Sequence, residues 1–243
     1  MEKPHIIDES SFQEAWLAAS MHLSRTGWEA YNLVVTIGDV TAFDPTFHNR
    51  ICAFCKAHKL LGPKDTAYTI FPHNLYKLVK TGDKLYFEYN RERGLYPRLI
   101  RRSNNKWGTY FRRMTHYDYG DTPINQLQNI ISAINSRENI KKAAYTIIIQ
   151  KPGRETVRPM GAPCLNYIAV QMQEGNPRRM GLLCVYRNQY FLERAYGNYW
   201  GLCNLLRFLA TETNTSVGPL TCISSHAIVT NHKVSFGQLL DTL

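Results

Sequence analysis

The stretch MGAPCLNYIAVQMQEGNPRRMGLLCVYRNQYFLERAYGN, Met160 to Asn198, decides how this chain folds. It reads as a Pro-Cys turn, a strand over Leu165–Met172, a polar turn at Gly175, Asn176 and Pro177, and a second strand over Met180–Tyr186 that closes at Arg187. Three residues at the edges of these strands carry chemistry: Cys164, Arg187 and Asn198, the last standing eleven positions past the arginine. Taken singly, each has an ordinary reading. A cysteine is commonly a small buried residue, Arg187 fits any exposed arginine, and Asn198 precedes an apolar helical run as an N-cap would. Their order and spacing together favour a site.

Working outward, Leu202, Leu205, Leu206 and Leu209 predict a buried helix that stops before Gly218-Pro219, and Leu220–His226 reads as a strand ending at His226. Upstream, Ser11-Phe-Gln-Glu14 is a capping box, with Phe12, Trp16, Ala19 and Leu23 at helical spacing and Gly27 past the end. Tyr31–Ile37 predicts a strand. Cys52-Ala-Phe-Cys55 fits a zinc half-site, a redox pair or a helix with two buried cysteines; two further ligands at familiar spacing are missing, so no metal is expected. Pro63 to Asn74 reads as a loop, and the alternation of Leu85, Phe87 and Tyr89 as a half-buried strand. Asp121-Thr-Pro-Ile124 reads as a helix start, with Ile124, Leu127, Ile130, Ile131 and Ile134 on one face, and Ala143–Ile149 as a buried strand.

With 243 residues, 44% of them hydrophobic and without repeats or low-complexity segments, the chain suits one soluble globular domain, residues 1–243. No apolar run approaches the roughly 18 residues of a membrane span. Met1–His5 lacks a signal peptide's pattern, so a cytoplasmic location is expected, with six irregularly spaced cysteines as reduced thiols. The net charge of +10 calls for an anionic partner: nucleic acid, an acidic membrane surface, or nucleotides. Eight Lys/Arg against the single acid Glu92 lie between Arg91 and Arg113, interleaved with Tyr96, Trp107, Tyr110 and Phe111. That mixture suits single-stranded nucleic acid and equally one phosphate with one aromatic base.

Ala162-Pro163-Cys164 opening a strand, Arg187 closing the next and Asn198 beyond it resemble the catalytic core of the thymidylate synthase and pyrimidine-nucleotide (dCMP or CMP) hydroxymethylase superfamily. The helix-then-strand opening is similar to its short archaeal members. The resemblance implies an α/β (α+β) fold, a large mixed β-sheet with flanking helices forming a sheet-to-sheet homodimer. It implies Cys164 as the nucleophile that adds to C6 of a pyrimidine, Asn198 as the base reader, Arg187 with neighbouring Asn188 at the phosphate, and His226 at the sugar. Trp107-Gly-Thr-Tyr110 resembles a family stretch whose tyrosine belongs to the active site. Lys141 and Lys142 stand where two arginines reach across the dimer to the partner's phosphate, and lysine lacks their bidentate fork. The implied substrate is a pyrimidine nucleoside monophosphate, the implied donor 5,10-methylenetetrahydrofolate, with Trp107 and Tyr190 as weak candidates for its contacts.

Departures from the pattern gather on the folate side. Leu165 replaces a histidine after the nucleophile, Tyr190 an aspartate that holds the folate, Arg194 a flexible glycine, and Ile228 a sugar-binding tyrosine. The family's N-terminal glutamate has no evident match, and the chain ends at Leu243 without the long closing segment. The expectation is a specialised C5 one-carbon transferase, a hydroxymethylase or methylase of a CMP, dCMP, UMP or dUMP-like substrate in a modified-nucleotide or natural-product pathway. Two rival classes are a folate-independent cysteine enzyme performing acyl or amide transfer, and a non-catalytic nucleotide or nucleic-acid binding module, with nucleic acid disfavoured.

Overall fold

A sheet forms where β-branched and aromatic residues run or alternate, and helices cover it where apolar residues recur at three and four positions. In the computed structural model, which describes residues 3–102, 107–136, 140–157 and 161–243, the chain opens with strand β1 (His5–Glu9), helix α1 (Phe12–Arg25) and strand β2 (Glu29–Ile37). The capping box of α1 is formed on both sides: Glu14 N–H donates to the Ser11 hydroxyl, and Ser11 N–H to the Glu14 carboxylate. Phe12, Trp16, Ala19 and Leu23 are buried. Helix α2 (Pro45–Ala57), capped by Asp44, carries Cys52 and Cys55; Cys55 is buried, and the half-buried Cys52 has its Sγ 3.4 Å from His48 Nε2.

Between residues 63 and 124 the sequence reading is corrected. Pro63 to Asn74 is not a loop: helix α3 (Pro63–Ile70) starts on its proline, and helix α4 begins at His73 (His73–Val79). The expected strand at 83–89 is helix α5 (Gly82–Asn90), where Leu85, Tyr86 and Tyr89 are buried and Phe87 is exposed. Helices α6 (Leu95–Arg102) and α7 (Tyr110–Thr115) follow. Asp121–Ile124 does not start a helix. Strands β3 (Tyr117–Tyr119) and β4 (Thr122–Ile124) form a hairpin around Gly120, whose φ is +62°, and helix α8 (Gln126–Asn135) is capped instead by Asn125. The expected apolar face of α8, from Leu127 to Ile134, is buried.

The remaining elements are β5 (Tyr145–Ile148), α9 (Pro152–Glu155), β6 (Leu165–Gln173), β7 (Arg179–Tyr186), β8 (Gln189–Tyr190), a π-helical turn (Phe191–Ala195) running directly into α10 (Tyr196–Glu212), β9 (Ser216–Ile228) and α11 (Lys233–Leu240). Asn198 therefore lies inside the helix rather than at its cap, and Gly218-Pro219 lies inside β9. The main sheet runs β1-β2-β9-β7-β6-β5, with β8 beside β9. Pairs β1/β2, β7/β9 and β8/β9 are parallel and the others antiparallel, so the sheet is mixed. One face, with Leu33, Val35, Leu182, Cys184 and Cys222, is sealed in the core. The other presents Val34, Thr36, Leu183, Val185, Thr221 and Ile223, all half-exposed.

Helix α10 crosses beneath that core and meets α3 at very close range. A Cβ at Gly197 would sit 2.6 Å from the Pro63 carbonyl and from Thr66 Cβ, and one at Gly201 would sit 2.9 Å from the Ala67 carbonyl. Only glycine permits that approach. Among the described residues no helix is long and apolar enough to cross a membrane.

Candidate active site

Three separate elements bring the edge residues of the opening stretch to one cavity of about 380 Å³. Gly161, Ala162 and Cys164 come from the turn before β6. Arg187, Asn188, Gln189 and Tyr190 come from the segment after β7, and Arg194 and Asn198 from the π turn and α10. The opposite wall is Thr66 and Thr69 of α3 with Trp107 and Tyr110. Met160, the first residue of the stretch, and residues 103–106 of the basic cluster lie outside the described residues.

The thiol is held by backbone bonds on both sides. Arg187 N–H donates to the Cys164 carbonyl (2.9 Å), and the Arg187 Nε–H donates to the Pro163 carbonyl (3.2 Å), so the guanidinium is tied to the cysteine turn. The Tyr110 hydroxyl accepts from the Cys164 and Leu165 N–H groups at 3.3 and 3.4 Å. Burial pushes the Cys164 thiol above its ordinary value; Arg187 and Arg194 pull it down without overcoming that. Burial likewise raises the Tyr110 phenol strongly, with Cys164 adding to the effect and Arg194 opposing it. Both groups are therefore protonated at neutral pH, and the nearby guanidinium charges favour the thiolate once a base takes the proton.

Asn198 is 4% exposed, and its side chain makes no hydrogen bond with any described residue, although it lines the cavity. Its amide atoms keep some open surface, where a ligand or water completes them. Gln189, passed over in the sequence, also lines the cavity. It is 1% exposed, its Oε1 accepts from the Ser224 hydroxyl (2.6 Å), and its Nε2 has no partner. Tyr190 stands at the rim, 41% exposed.

Other candidates lie elsewhere. His226 is outside the cavity lining, held between Asn188 Oδ1 (2.7 Å from Nδ1) and Glu29 Oε1 (2.6 Å from Nε2), so it reaches the cavity only through Asn188. The bond to His226 lowers the Glu29 carboxyl pKa, Tyr31 adding to it. Lys141 and Lys142 do not line the cavity; Lys142 pairs with Glu174 at 2.9 Å, both side chains exposed. Met172 N–H bonds the Lys142 carbonyl, and Met172 is eight residues along β6 from Cys164, roughly 26 Å at strand rise. Neither lysine can serve the cavity of its own chain.

The described rings of the basic-aromatic stretch are packed or half-buried, as are Arg112 and Arg113, while Arg91, Arg93 and Arg98 stay exposed. Tyr110 and Phe111 are buried, the Arg112 guanidinium lies over the Tyr96 ring (4.9 Å), and Arg113 lies over Trp107 (5.3 Å). Arg113 is buried and grips Glu155 through two bonds of 2.6 and 2.8 Å while donating to the Trp107 carbonyl, which braces the Trp107–Tyr110 wall. Burial pushes the Glu155 carboxyl up, but its bonds to Arg113 and to Lys151 N–H outweigh this and hold it below its usual range. Rings used for packing cannot stack on bases. Among the described residues no group of three or more His, Cys, Asp or Glu is placed to hold a metal ion.

The geometry defines a class first: a mixed α/β protein with a part-buried thiol set beside guanidinium groups and a buried carboxamide. Comparison with known proteins then adds a weak likeness. No family model matches the chain. Over 153 residues it is 26% identical to a Methanocaldococcus jannaschii protein named "Putative thymidylate synthase", a match covering 61% of this chain and 65% of that protein's length. The mixed sheet with flanking helices is compatible with a thymidylate synthase-like fold.

Proposed function

We propose that the chain is a pyrimidine-nucleotide C5 one-carbon transferase acting through Cys164. The observation that carries this reading is the convergence of Cys164, Arg187 and the unpartnered, buried Asn198 on one cavity. The Cys164 thiolate adds to C6 of the ring, and the C5=C6 electron pair moves toward C4–O4. Asn198 hydrogen-bonds the O4/N3 edge where that charge develops. C5 then attacks a one-carbon electrophile; loss of the C5 proton and expulsion of the thiolate restore the ring. Tyr110 orients the cysteine turn, Arg187 and Asn188 hold the phosphate, and His226 positions Asn188.

The resemblance names methylenetetrahydrofolate as the donor. The described lining holds no Asp or Glu, and Tyr190 and Arg194 occupy the positions where the resemblance puts the folate contacts. These residues do not offer a pterin's donor edge the carboxylate it would need, and the steps above do not run through that group.

The reading includes a homodimer. The half-exposed apolar sheet face at Val34, Leu183, Val185 and Ile223 suits a second copy, and only another chain's Lys141 and Lys142 have a route to the phosphate.

The test uses no donor. Addition to C6 acidifies C5–H, so CMP, dCMP, UMP and dUMP are incubated with the protein in deuterated buffer and the C5 proton is followed by NMR. Exchange with at least one of them, lost in Cys164→Ala, is expected. Absence of exchange with all four sinks the reading.

A further inference from the structure

Two guanidinium groups line the cavity, and their situations differ. Arg187 is tied down by its Nε bond to the Pro163 carbonyl. The Arg194 side chain is half-buried and forms no hydrogen bond or ion pair with any described residue. Among the described lining residues there is no carboxylate to neutralise Arg194. A partly desolvated guanidinium with five donors and no acceptor is completed by an oxyanion.

The placement of Arg194 says where that oxyanion sits. Arg194 in the π turn and Asn198 in α10 line the cavity four residues apart along one continuous helical path, and Tyr190, the strand residue just before that path, stands at the rim. Arg194 thus stands one turn from the carboxamide assigned to the base, and its charge is felt at both the Cys164 sulfur and the Tyr110 oxygen. This is the reacting end of the cavity, which Arg187 also reaches, through its bonds to the Cys164 and Pro163 carbonyls and its stronger pull on the same thiol. What sets Arg194 apart is its place four residues before Asn198 and a side chain not bonded to the cysteine turn.

Resting on the C5-transfer reading, we infer that Arg194 binds an oxyanion, a carboxylate or phosphate group, on a second ligand that enters beside the pyrimidine ring. The occupied cavity then holds two anionic groups, one at each guanidinium. The co-substrate that brings the carbon electrophile is anionic, and Arg194 selects it.

Calorimetry tests this with defined probes. Protein saturated with the pyrimidine monophosphate that passes the exchange test, and also ligand-free protein, is titrated with glutarate and with inorganic phosphate. A second binding event is expected with one of these probes, the first marking a carboxylate and the second a phosphate. Arg194→Gln weakens it by about tenfold to a hundredfold, the range for a charge-assisted contact. Arg194→Lys recovers part of the loss, and the monophosphate's own Kd changes less than twofold. Unchanged melting temperatures of both variants establish that folding is intact.

Two results overturn the inference. One is that neither probe's binding depends on Arg194. The other is that Arg194→Gln weakens the monophosphate itself as strongly as any probe, since both guanidinium groups would then share one phosphate. Failure of the transfer reading looks different: no C5–H exchange with any nucleotide, while Arg194-dependent anion binding to the ligand-free protein persists.

Discussion

The cavity has two walls of unlike origin. One is the 164–198 segment, where strand, turn, strand and helix follow one another and the lining residues sit at the strand ends and on the helix. The other is assembled from residues 66 to 110, where helix α3 meets the first wall in close backbone contact and Trp107 is braced by the buried Arg113–Glu155 pair. The first wall announces itself through large apolar residues in long runs. The second is made of small contacts, Thr66 and Ala67 against Gly197 and Gly201, which leave no trace in a hydrophobic pattern. Chemistry read from sequence therefore came mostly from the first wall, with only Trp107 and Tyr110 of the second named, through the resemblance.

The largest effect should come from breaking the first wall. Cys164→Ala is expected to reduce C5–H exchange by roughly 10³-fold or more, as loss of a nucleophile does, with the melting temperature little changed. On the second wall the heaviest damage should follow Glu155→Ala, which strands the buried Arg113. Breaking a buried pair costs about 3–5 kcal/mol, so thermal unfolding should show a large loss of stability, with exchange falling because Trp107 and Tyr110 lose their brace.

Gly197→Ala probes the seam between the walls. The added methyl meets a backbone carbonyl and a β-carbon at 2.6 Å, and overpacking of this kind costs about 1–3 kcal/mol. Melting and nucleotide affinity should drop together. Gly153→Ala, whose Cβ meets nothing within 4 Å, is the control and should be neutral.

Two pH responses complete the comparison, one per wall. Glu155 is held below the ordinary glutamate value of about 4.3, so its contribution is full above that value and is lost as pH falls through the lower folded value. Acid unfolding curves of the wild type should show that loss, and Glu155→Gln should lack it. Cys164 lies above the ordinary thiol value, so its alkylation by iodoacetamide should keep rising past about pH 8.5. Arg194→Gln should move that rise to still higher pH.

How far the fold was legible follows from the same contrast. The strands at 165–173, 179–186 and 29–37, helix α1 and the buried face of α8 were readable because their periods are unambiguous. Helix α5 was not, because Leu85 and Tyr89 share a face in either period. Phe87, apolar yet 66% exposed, and the buried Tyr86 separate helix from strand, and exposure is invisible in a sequence. Helix α3 begins on Pro63 after Gly62, with no side-chain cap bond, and because its buried face is mostly small residues, Thr66, Ala67 and Thr69 before Ile70, its proline looked like loop punctuation. At Asp121 the polar residue followed by proline mimicked a helix start, while the positive φ of Gly120 made a hairpin. In the site, Cys164, Arg187 and Asn198 were found by their order and spacing and Tyr110 through the resemblance of its stretch, and all four share the cavity. Gln189 was missed because a lone glutamine carries no spacing signal, and Lys141 and Lys142 sit where no single chain can use them.

The π-helical turn at Phe191–Ala195 sets a condition on all of this. Such a turn holds one residue more than an α-helix would, and one residue corresponds to about 100° of rotation. Removing a single position there would swing Arg187 and Asn188 out of phase with Asn198 while leaving every side chain chemically intact. On the proposed reading, the alignment of Arg187 with Asn198 is thus governed by the count of residues between them, and a shortened turn should abolish C5–H exchange as surely as losing the Cys164 sulfur.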